Sequence, residues 1–190
     1  MVGSIIEKCK HKWQEFKFFV QDEARFGRIT SIGKSWCPYP LRPEVKEQIV
    51  REYTYVYSAI SPQNGDNISL ILPYANSECM EIFLKELAEQ FPNSMNIVQL
   101  DGASFHTSDK IKVPENISLI CQPPYSPQLN PTENFWDHVK ENHYRNKCFK
   151  SLIALENDLC QVLHKLHNDK KTLMSITSFP WIIDMNLNAT

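Results

Sequence analysis

The sequence lacks a positive net charge, closely spaced cysteines and a long apolar run, and each absence excludes a class of protein. Its 20 basic and 22 acidic residues give a formal net charge of −2, so no overall basic field indicates a free-standing DNA-binding module. Six cysteines are scattered without a CxxC pair and no signal segment opens the chain, which predicts a reduced, cytoplasmic protein. No apolar run approaches the ~20 residues that span a bilayer.

The hydrophobic pattern predicts strands first and then an alternation of strands and helices. Predicted strands cover residues 16–20, 35–37, 51–60, 67–72, 96–100 and 117–121. Gly27 predicts a turn after the first of them, and a helical turn is expected near residues 106–112. Apolar residues at helical spacing predict a helix from about Ser77, and Ser151 is expected to cap another. This order predicts an α/β fold in which an antiparallel meander and parallel strands form one mixed sheet flanked by helices.

Two aspartates stand where predicted strands end. Asp22 follows the first strand, and Asp101 follows the strand over residues 96–100. Functional groups in such sheets gather at the carboxyl ends of parallel strands, and adjacent strands lie ~4.8 Å apart. The two carboxylates can therefore share one ion. Taken singly, Asp22 also fits a solvated strand end, and Asp101 with Gly102 fits a common turn.

A third acid, Glu133, lies in a loop that runs into a predicted helix. Asn130 fits the N-cap, Pro131 the first helical position and Glu133 the third. One interpretation is a capping box, in which the Glu133 carboxylate accepts from the N–H of the cap. The other interpretation places Glu133 beside Asp22 and Asp101. Clustered carboxylates repel one another unless a divalent cation compensates, and oxygen ligands favour Mg²⁺ or Mn²⁺ over zinc.

Each of the three acids lies in a block that resembles a known signature. The blocks are QDEARFG at 21–27, LDGASFH at 100–106 and PPYSPQLNPTENFW at 123–136. In this order they resemble the signature blocks of the DDE transposases, and specifically those of the bacterial insertion-sequence branch of the mariner superfamily. The resemblance covers most of the chain, and its third block is the most specific.

The resemblance implies an RNase H-like fold in which Asp22, Asp101 and Glu133 form the catalytic, metal-binding triad. It implies Mg²⁺ or Mn²⁺ as the cofactor, as a pair of ions that steady the attacking and leaving oxygens at phosphorus. The expected reactions are cleavage of DNA at transposon ends and strand transfer into target DNA without a covalent enzyme intermediate. A homodimer and a bacterial, nucleoid-associated location are expected. The alternatives are a non-catalytic transposase remnant and another RNase H-like nuclease.

With this resemblance the chain divides into three parts. We predict an N-terminal extension over residues 1–15, an RNase H-like DDE catalytic domain over 16–170, and a tail over 171–190 that packs on the domain. Only 21 residues precede Asp22, so we expect the helix-turn-helix DNA-binding region of such transposases to be separate or missing. The separation of Asp101 and Glu133 is 32 positions (133 − 101). This is slightly short for the family, and we expect a trimmed loop near 110–115.

Secondary candidates surround these three acids. His106 could approach the scissile phosphate or orient its loop. Four basic residues that follow the Glu133 helix could contact DNA phosphates or form a solvated helix end: Lys140, Arg145, Lys147 and Lys150. Three residues share one helix face at a zinc-like spacing without a fourth ligand: Cys160, His164 and His167. Phe135 and Trp136 are expected to anchor the core.

Overall fold

A five-stranded mixed sheet forms the centre of the protein. The structure is a computed structural model that describes residues 1–34, 36–101, 111–123, 126, 129–185 and 187. The strands are β1 (Glu15–Ile29), β2 (Ile49–Ile60), β3 (Asn67–Leu72), β4 (Ser94–Leu100) and β5 (Ile117–Cys121). Their order in the sheet is β3-β2-β1-β4-β5.

The sheet combines an antiparallel meander with two parallel strands. β1, β2 and β3 pair antiparallel, whereas β4 pairs parallel to β1 and β5 parallel to β4. The turn between β2 and β3 contains Gly65 at φ 73°, where a Cβ would lie 2.7 Å from the Cβ of Lys170. Glycine is therefore suited to this position by both its backbone conformation and its lack of a side chain. The predicted mixed sheet is confirmed.

Six α-helices flank this sheet in the described part of the chain. They are α1 (Val2–Cys9), α2 (Ser77–Gln90), α3 (Thr132–Val139), α4 (Leu152–Asn168), α5 (Lys170–Thr177) and α6 (Pro180–Ile183). A π-helical turn, Lys140–Tyr144, continues α3. Asn76 and Ser151 cap α2 and α4 through their side chains, as predicted for Ser151. No helix among the described residues is long and apolar enough to cross a membrane.

Both faces of the sheet are buried. Val56 packs in a cluster with residues of α3 and α4, whereas its neighbour Tyr57 packs on the other face with residues of α2. Successive residues of a strand point to opposite faces, so helices cover both. A third cluster joins β1 and β4 to the two ends of the chain, since it contains Ile6 and the fully buried Ile182. α3 and α4 therefore pack on one face of β1, and the candidate site lies on that face.

Most predicted elements are confirmed. The predicted strands at 51–60, 67–72, 96–100 and 117–121 match β2 to β5 within two residues at each end. The predicted helix from Ser77 matches α2, and α4 follows Ser151. The expected helical turn near 106–112 lies mostly outside the described residues. Its last two residues, Ile111 and Lys112, are not helical.

Two predictions about the first part of the chain are wrong. The first strand does not end near residue 20, because β1 continues to Ile29 and Gly27 pairs with Tyr53 instead of forming a turn. Asp22 therefore lies within β1 and not after its end. No strand forms at Trp36 and Cys37, which are exposed and irregular, whereas Ser35 lies outside the described residues.

Candidate active site

The register of β1 and β4 places Asp22 beside Asp101. Their paired residues, from Glu15 with Ser94 to Val20 with Gln99, are always 79 positions apart. Asp22 and Asp101 are also 79 apart (101 − 22), and Asp101 directly follows the last residue of β4. The register, continued by two residues, aligns Asp101 with Asp22 just beyond the point where the two strands stop pairing. The charge of Asp101 also helps to raise the pKa of Asp22, as expected of a neighbour.

Asp22 is a weaker acid than an ordinary aspartate. Burial is the largest cause of its raised pKa, the negative charges of Glu23 and Asp101 add to the rise and a hydrogen bond opposes it, so that the pKa is about 7 instead of 3.8. In that bond the backbone N–H of Glu23 donates to the Asp22 carboxylate at 2.8 Å. The Trp136 indole lowers the pKa slightly, although its N–H makes no hydrogen bond of ordinary geometry. The protonated form of Asp22 is therefore far more populated at neutral pH than that of an ordinary aspartate.

α3 begins one residue later than predicted. Pro131 occupies the N-cap position in place of Asn130, because the helix starts at Thr132. Asn130 still supports the helix start, since its side-chain oxygen accepts from the Thr132 N–H at 3.1 Å. The Thr132 hydroxyl is buried and donates to the Val20 carbonyl at 3.3 Å. This bond ties the start of α3 to the part of β1 that precedes Asp22.

Glu133 faces the same cavity as Asp22. The cavity is open and has a volume of about 420 Å³. It is lined by Asp22, Glu23, Ala24, Arg25, Glu133, Trp136, Asp137 and Lys140. The four lining residues of α3 and its continuation follow the spacing i, i+3, i+4 and i+7, so one helix face forms a wall. Glu133 is exposed, and none of the hydrogen bonds found among the described residues makes it a capping box.

The residues fit a hard divalent cation, although the structure does not show a complete ligand cage. Carboxylate oxygens are ligands that Mg²⁺ and Mn²⁺ prefer. Asp22 carries a raised pKa because burial and two negative neighbours disfavour its charge, and a nearby cation reverses both effects. Within the described ranges, however, no three His, Cys, Asp or Glu side chains are grouped closely enough to hold a metal ion.

Sequence reasoning missed part of the cavity wall. Trp136 and Phe135 are buried core residues, as predicted, but Trp136 also lines the cavity beside Asp22. Asp137 and Arg25 complete the wall beside Lys140, which the sequence already offered as a candidate phosphate contact. The helical spacing from Glu133 could have identified Asp137, whereas Arg25 depends on the unexpected length of β1. His106 lies outside the described residues.

The zinc-like group lies apart from this cavity. Cys160, His164 and His167 line a separate groove of about 400 Å³ between α4 and β3. The His167 ring is 3.1 Å from the side-chain oxygen of Asn67 and therefore already has a partner. These three side chains do not form a metal-binding group in the described part of the chain.

Comparison with known sequences places most of the chain in one family. Residues 17–156, which are 140 of the 190 residues (156 − 17 + 1), match the family model of the DDE superfamily endonucleases. An uncharacterized protein, y4pE/y4sA of Sinorhizobium fredii, is 35% identical over 130 residues, which cover 68% of this chain and 96% of that protein. The Tcb2 transposase of Caenorhabditis briggsae is 25% identical over 150 residues, which cover 72% of this chain and 54% of that transposase.

Solved structures show the same fold. The Mos1 mariner paired-end complex with Mn has a TM-score of 0.60 at 14% identity, covering 93% of this chain and 58% of the Mos1 chain. The catalytic domain of Mos1 mariner transposase has a TM-score of 0.55 at 12% identity, covering 93% of this chain and 86% of that domain. The chain thus spans just over half of the full-length transposases it matches and most of an isolated catalytic domain.

Proposed function

Because the chain belongs to the DDE superfamily endonucleases, we propose that it is the catalytic domain of a mariner-type transposase that cleaves DNA and transfers the cut strand. The proposed ligands of Mg²⁺ or Mn²⁺ are Asp22, Asp101 and Glu133. Such ions stabilise the charge that develops at phosphorus and increase the acidity of the attacking hydroxyl.

The observation that carries this proposal is that Glu133 of α3 lines the same cavity as Asp22 of β1. Asp101 supports it through the register of β1 and β4, which aligns Asp101 with Asp22 when continued by two residues, and through its charge, which helps to raise the pKa of Asp22. A structural role for these acids would not require burial of Asp22 beside other negative charges, since burial raises its pKa to about 7. A divalent cation beside Asp22 would offset this cost, since a nearby opposite charge favours the ionised carboxylate.

In this reaction the protein holds and orients the side chains that are the proposed metal ligands. The N–H of Glu23 fixes one oxygen of Asp22, and the bond from Thr132 to Val20 fixes the start of the helix that carries Glu133. The described residues lining the cavity include no serine, cysteine or histidine. By the family resemblance, attack at phosphorus is assigned to water in the cleavage step and to a DNA 3′-hydroxyl in strand transfer.

Transposon ends are the proposed DNA substrate. Mos1 transposase has been seen as a paired-end complex with its left transposon end and as a strand transfer complex. By analogy we propose that this domain acts on paired ends as a homodimer, together with a helix-turn-helix region that recognises the end sequence. Only the resemblance supports the homodimer and the helix-turn-helix region, so both depend on a demonstration that the domain cleaves DNA.

The decisive experiment compares DNA nicking by the wild type and by Glu133→Gln in Mg²⁺, Mn²⁺ and EDTA. We expect metal-dependent nicking by the wild type and a loss of at least ~100-fold in Glu133→Gln, because a neutral amide is a poor ligand for a hard cation. Glu86→Gln is the matched control, since Glu86 is exposed on α2, and it should cut normally.

Two outcomes would contradict the proposal. Equal nicking by Glu133→Gln and the wild type would remove Glu133 from the site. A wild type that is folded but silent with both metals, on duplex and on single-stranded DNA, would favour the alternative of a non-catalytic remnant. Thermal unfolding of each variant shows whether lost activity reflects lost structure.

A further inference from the structure

Arg25 and Lys140 line two neighbouring cavities. Acidic residues line the first cavity beside them, whereas the other charged residue of the second cavity is basic. The first is the cavity that contains Asp22 and Glu133. The second is smaller, about 130 Å³, and it also includes Arg25 and Lys140 in its wall. Its charged residues are all basic, because Lys147 is the third and no acid is among its described lining residues. A negatively charged group is therefore favoured on this side of the boundary.

Arg25 and Lys140 lie at a distance from the carboxylates that a few nucleotides of DNA can span. Lys140 is seven residues after Glu133 along one helix face, which corresponds to ~10 Å. Arg25 is three residues after Asp22 on β1, which also corresponds to ~10 Å. Each strand of DNA carries one phosphate per ~3.4 Å of helix axis. A strand whose scissile phosphate lies at Asp22 and Glu133 therefore brings another phosphate to Arg25 and Lys140.

The charges of Arg25 and Lys140 are not neutralised. The Arg25 guanidinium carbon lies 4.9 Å from the centre of the Tyr53 ring, and the Lys140 Nζ lies 5.9 Å from that of Phe26. Neither residue belongs to an ion pair in the part of the chain that the structure describes, and both are exposed. A ring face orients a cation without cancelling its charge, so both heads remain available to an anion.

The other basic residues nearby already have partners. Arg28 pairs with Glu52 and donates to the backbone carbonyl of Phe149. Arg145 and Lys147, two of the candidates for phosphate contacts, pair with Glu141 and Asp158. Their charges are committed within the protein, which separates Lys140 from Arg145 and Lys147.

We propose that Arg25 and Lys140 form a phosphate seat, which holds the backbone of the DNA strand within about three nucleotides of the phosphate that is cleaved. The proposal rests on the function proposed above and names the residues that hold the substrate. The cavity beside the seat carries four acids, Asp22, Glu23, Glu133 and Asp137, which repel a phosphate that approaches them. The two unneutralised cations at its border offset this repulsion and fix the path of the strand.

The test measures binding of a short fluorescein-labelled DNA duplex by anisotropy in EDTA over a series of salt concentrations. The double variant Arg25→Ala/Lys140→Ala should bind about tenfold more weakly, and its plot of log affinity against log salt should be shallower by about 2. Arg25→Lys keeps the charge and should keep the wild-type slope. The control, Lys8→Ala/Lys165→Ala, removes the same charge from exposed positions on α1 and α4 and should bind like the wild type.

The seat and the proposed reaction can fail separately. A slope that is unchanged in Arg25→Ala/Lys140→Ala, or reduced equally in the control, overturns the seat, as does a wild type that does not bind the duplex. Because binding is measured without metal, a shallower slope without any metal-dependent nicking supports the seat and counts against the reaction. Thermal unfolding confirms that each variant is folded.

Discussion

Burial and neighbouring negative charges make Asp22 a residue whose ionisation opposes folding. Its pKa is about 7 in the folded chain, against an ordinary value of 3.8. The folded state therefore binds the proton more tightly, so stability from this group is complete below pH ~3.8 and is lost as pH rises toward 7. At pH 8 the ionisation of Asp22 lowers the free energy of unfolding by roughly 4 kcal/mol.

Asp22→Asn removes this cost, because the amide is neutral at every pH. We expect it to raise Tm relative to the wild type at pH 8 in EDTA, and to lose this advantage near pH 4. Circular dichroism melts at the two pH values measure the difference. Asp137→Asn is a suitable control because Asp137 is exposed in the same cavity. An equal Tm for Asp22→Asn and the wild type at pH 8 would contradict the raised pKa.

At the scale of elements, Asp66 joins three parts of the fold. It lies in the turn between β2 and β3, and its side chain is only 13% exposed. Lys17 of β1 and Lys170 at the start of α5 donate to its two oxygens at 2.8 and 2.6 Å. Although burial raises the pKa of Asp66, the bonds from these lysines lower it below its ordinary value. The stability from Asp66 is therefore present above pH ~4 and is lost as pH falls through the lowered pKa.

Asp66→Asn should lower the free energy of unfolding by about 1–3 kcal/mol at pH 7, because two charged donors lose their ionised partner. Urea unfolding measures this change, and the deficit should shrink as the wild type is acidified below the lowered pKa. Glu89→Gln removes an exposed pair with Lys85 at 3.6 Å and should change stability by less than ~0.5 kcal/mol. A similar loss in both variants would show that Asp66 does not connect these elements.

Elements could be predicted from the sequence where the local pattern determines them. The tyrosine- and valine-rich segment of β2 and the helical spacing in α2 led to correct predictions. The length of β1 did not follow from its residues, since polar Gln21 and acidic Asp22 resemble a strand end. They remain within β1 because β2 pairs with it as far as Ile29, and pairing with a distant strand is absent from a local pattern.

At the scale of the whole molecule, the order of strands and helices was enough to predict a mixed sheet flanked by helices. The three signature blocks then identified Asp22, Asp101 and Glu133 as candidates. Their alignment depends on the parallel pairing of β1 with β4 and on the contact of Thr132 with β1. Those contacts cross long stretches of chain, so the place of Arg25 in the cavity wall could be seen only in the folded structure, whereas that of Lys140 agrees with helical spacing from Glu133.

This long-range assembly predicts that a divalent cation stabilises the whole fold. β1, β4 and α3 take up their relative positions only in the folded chain, so a cation that binds the proposed ligands Asp22, Asp101 and Glu133 favours the folded state. At tenfold above its Kd, Mn²⁺ should add about 1.4 kcal/mol of stability at pH 8. Asp22→Asn, Asp101→Asn and Glu133→Gln should each abolish most of this gain, whereas Glu86→Gln should retain it. Differential scanning calorimetry with and without Mn²⁺ provides the measurement, and an equal rise in Tm for wild type and all three variants would place the cation elsewhere.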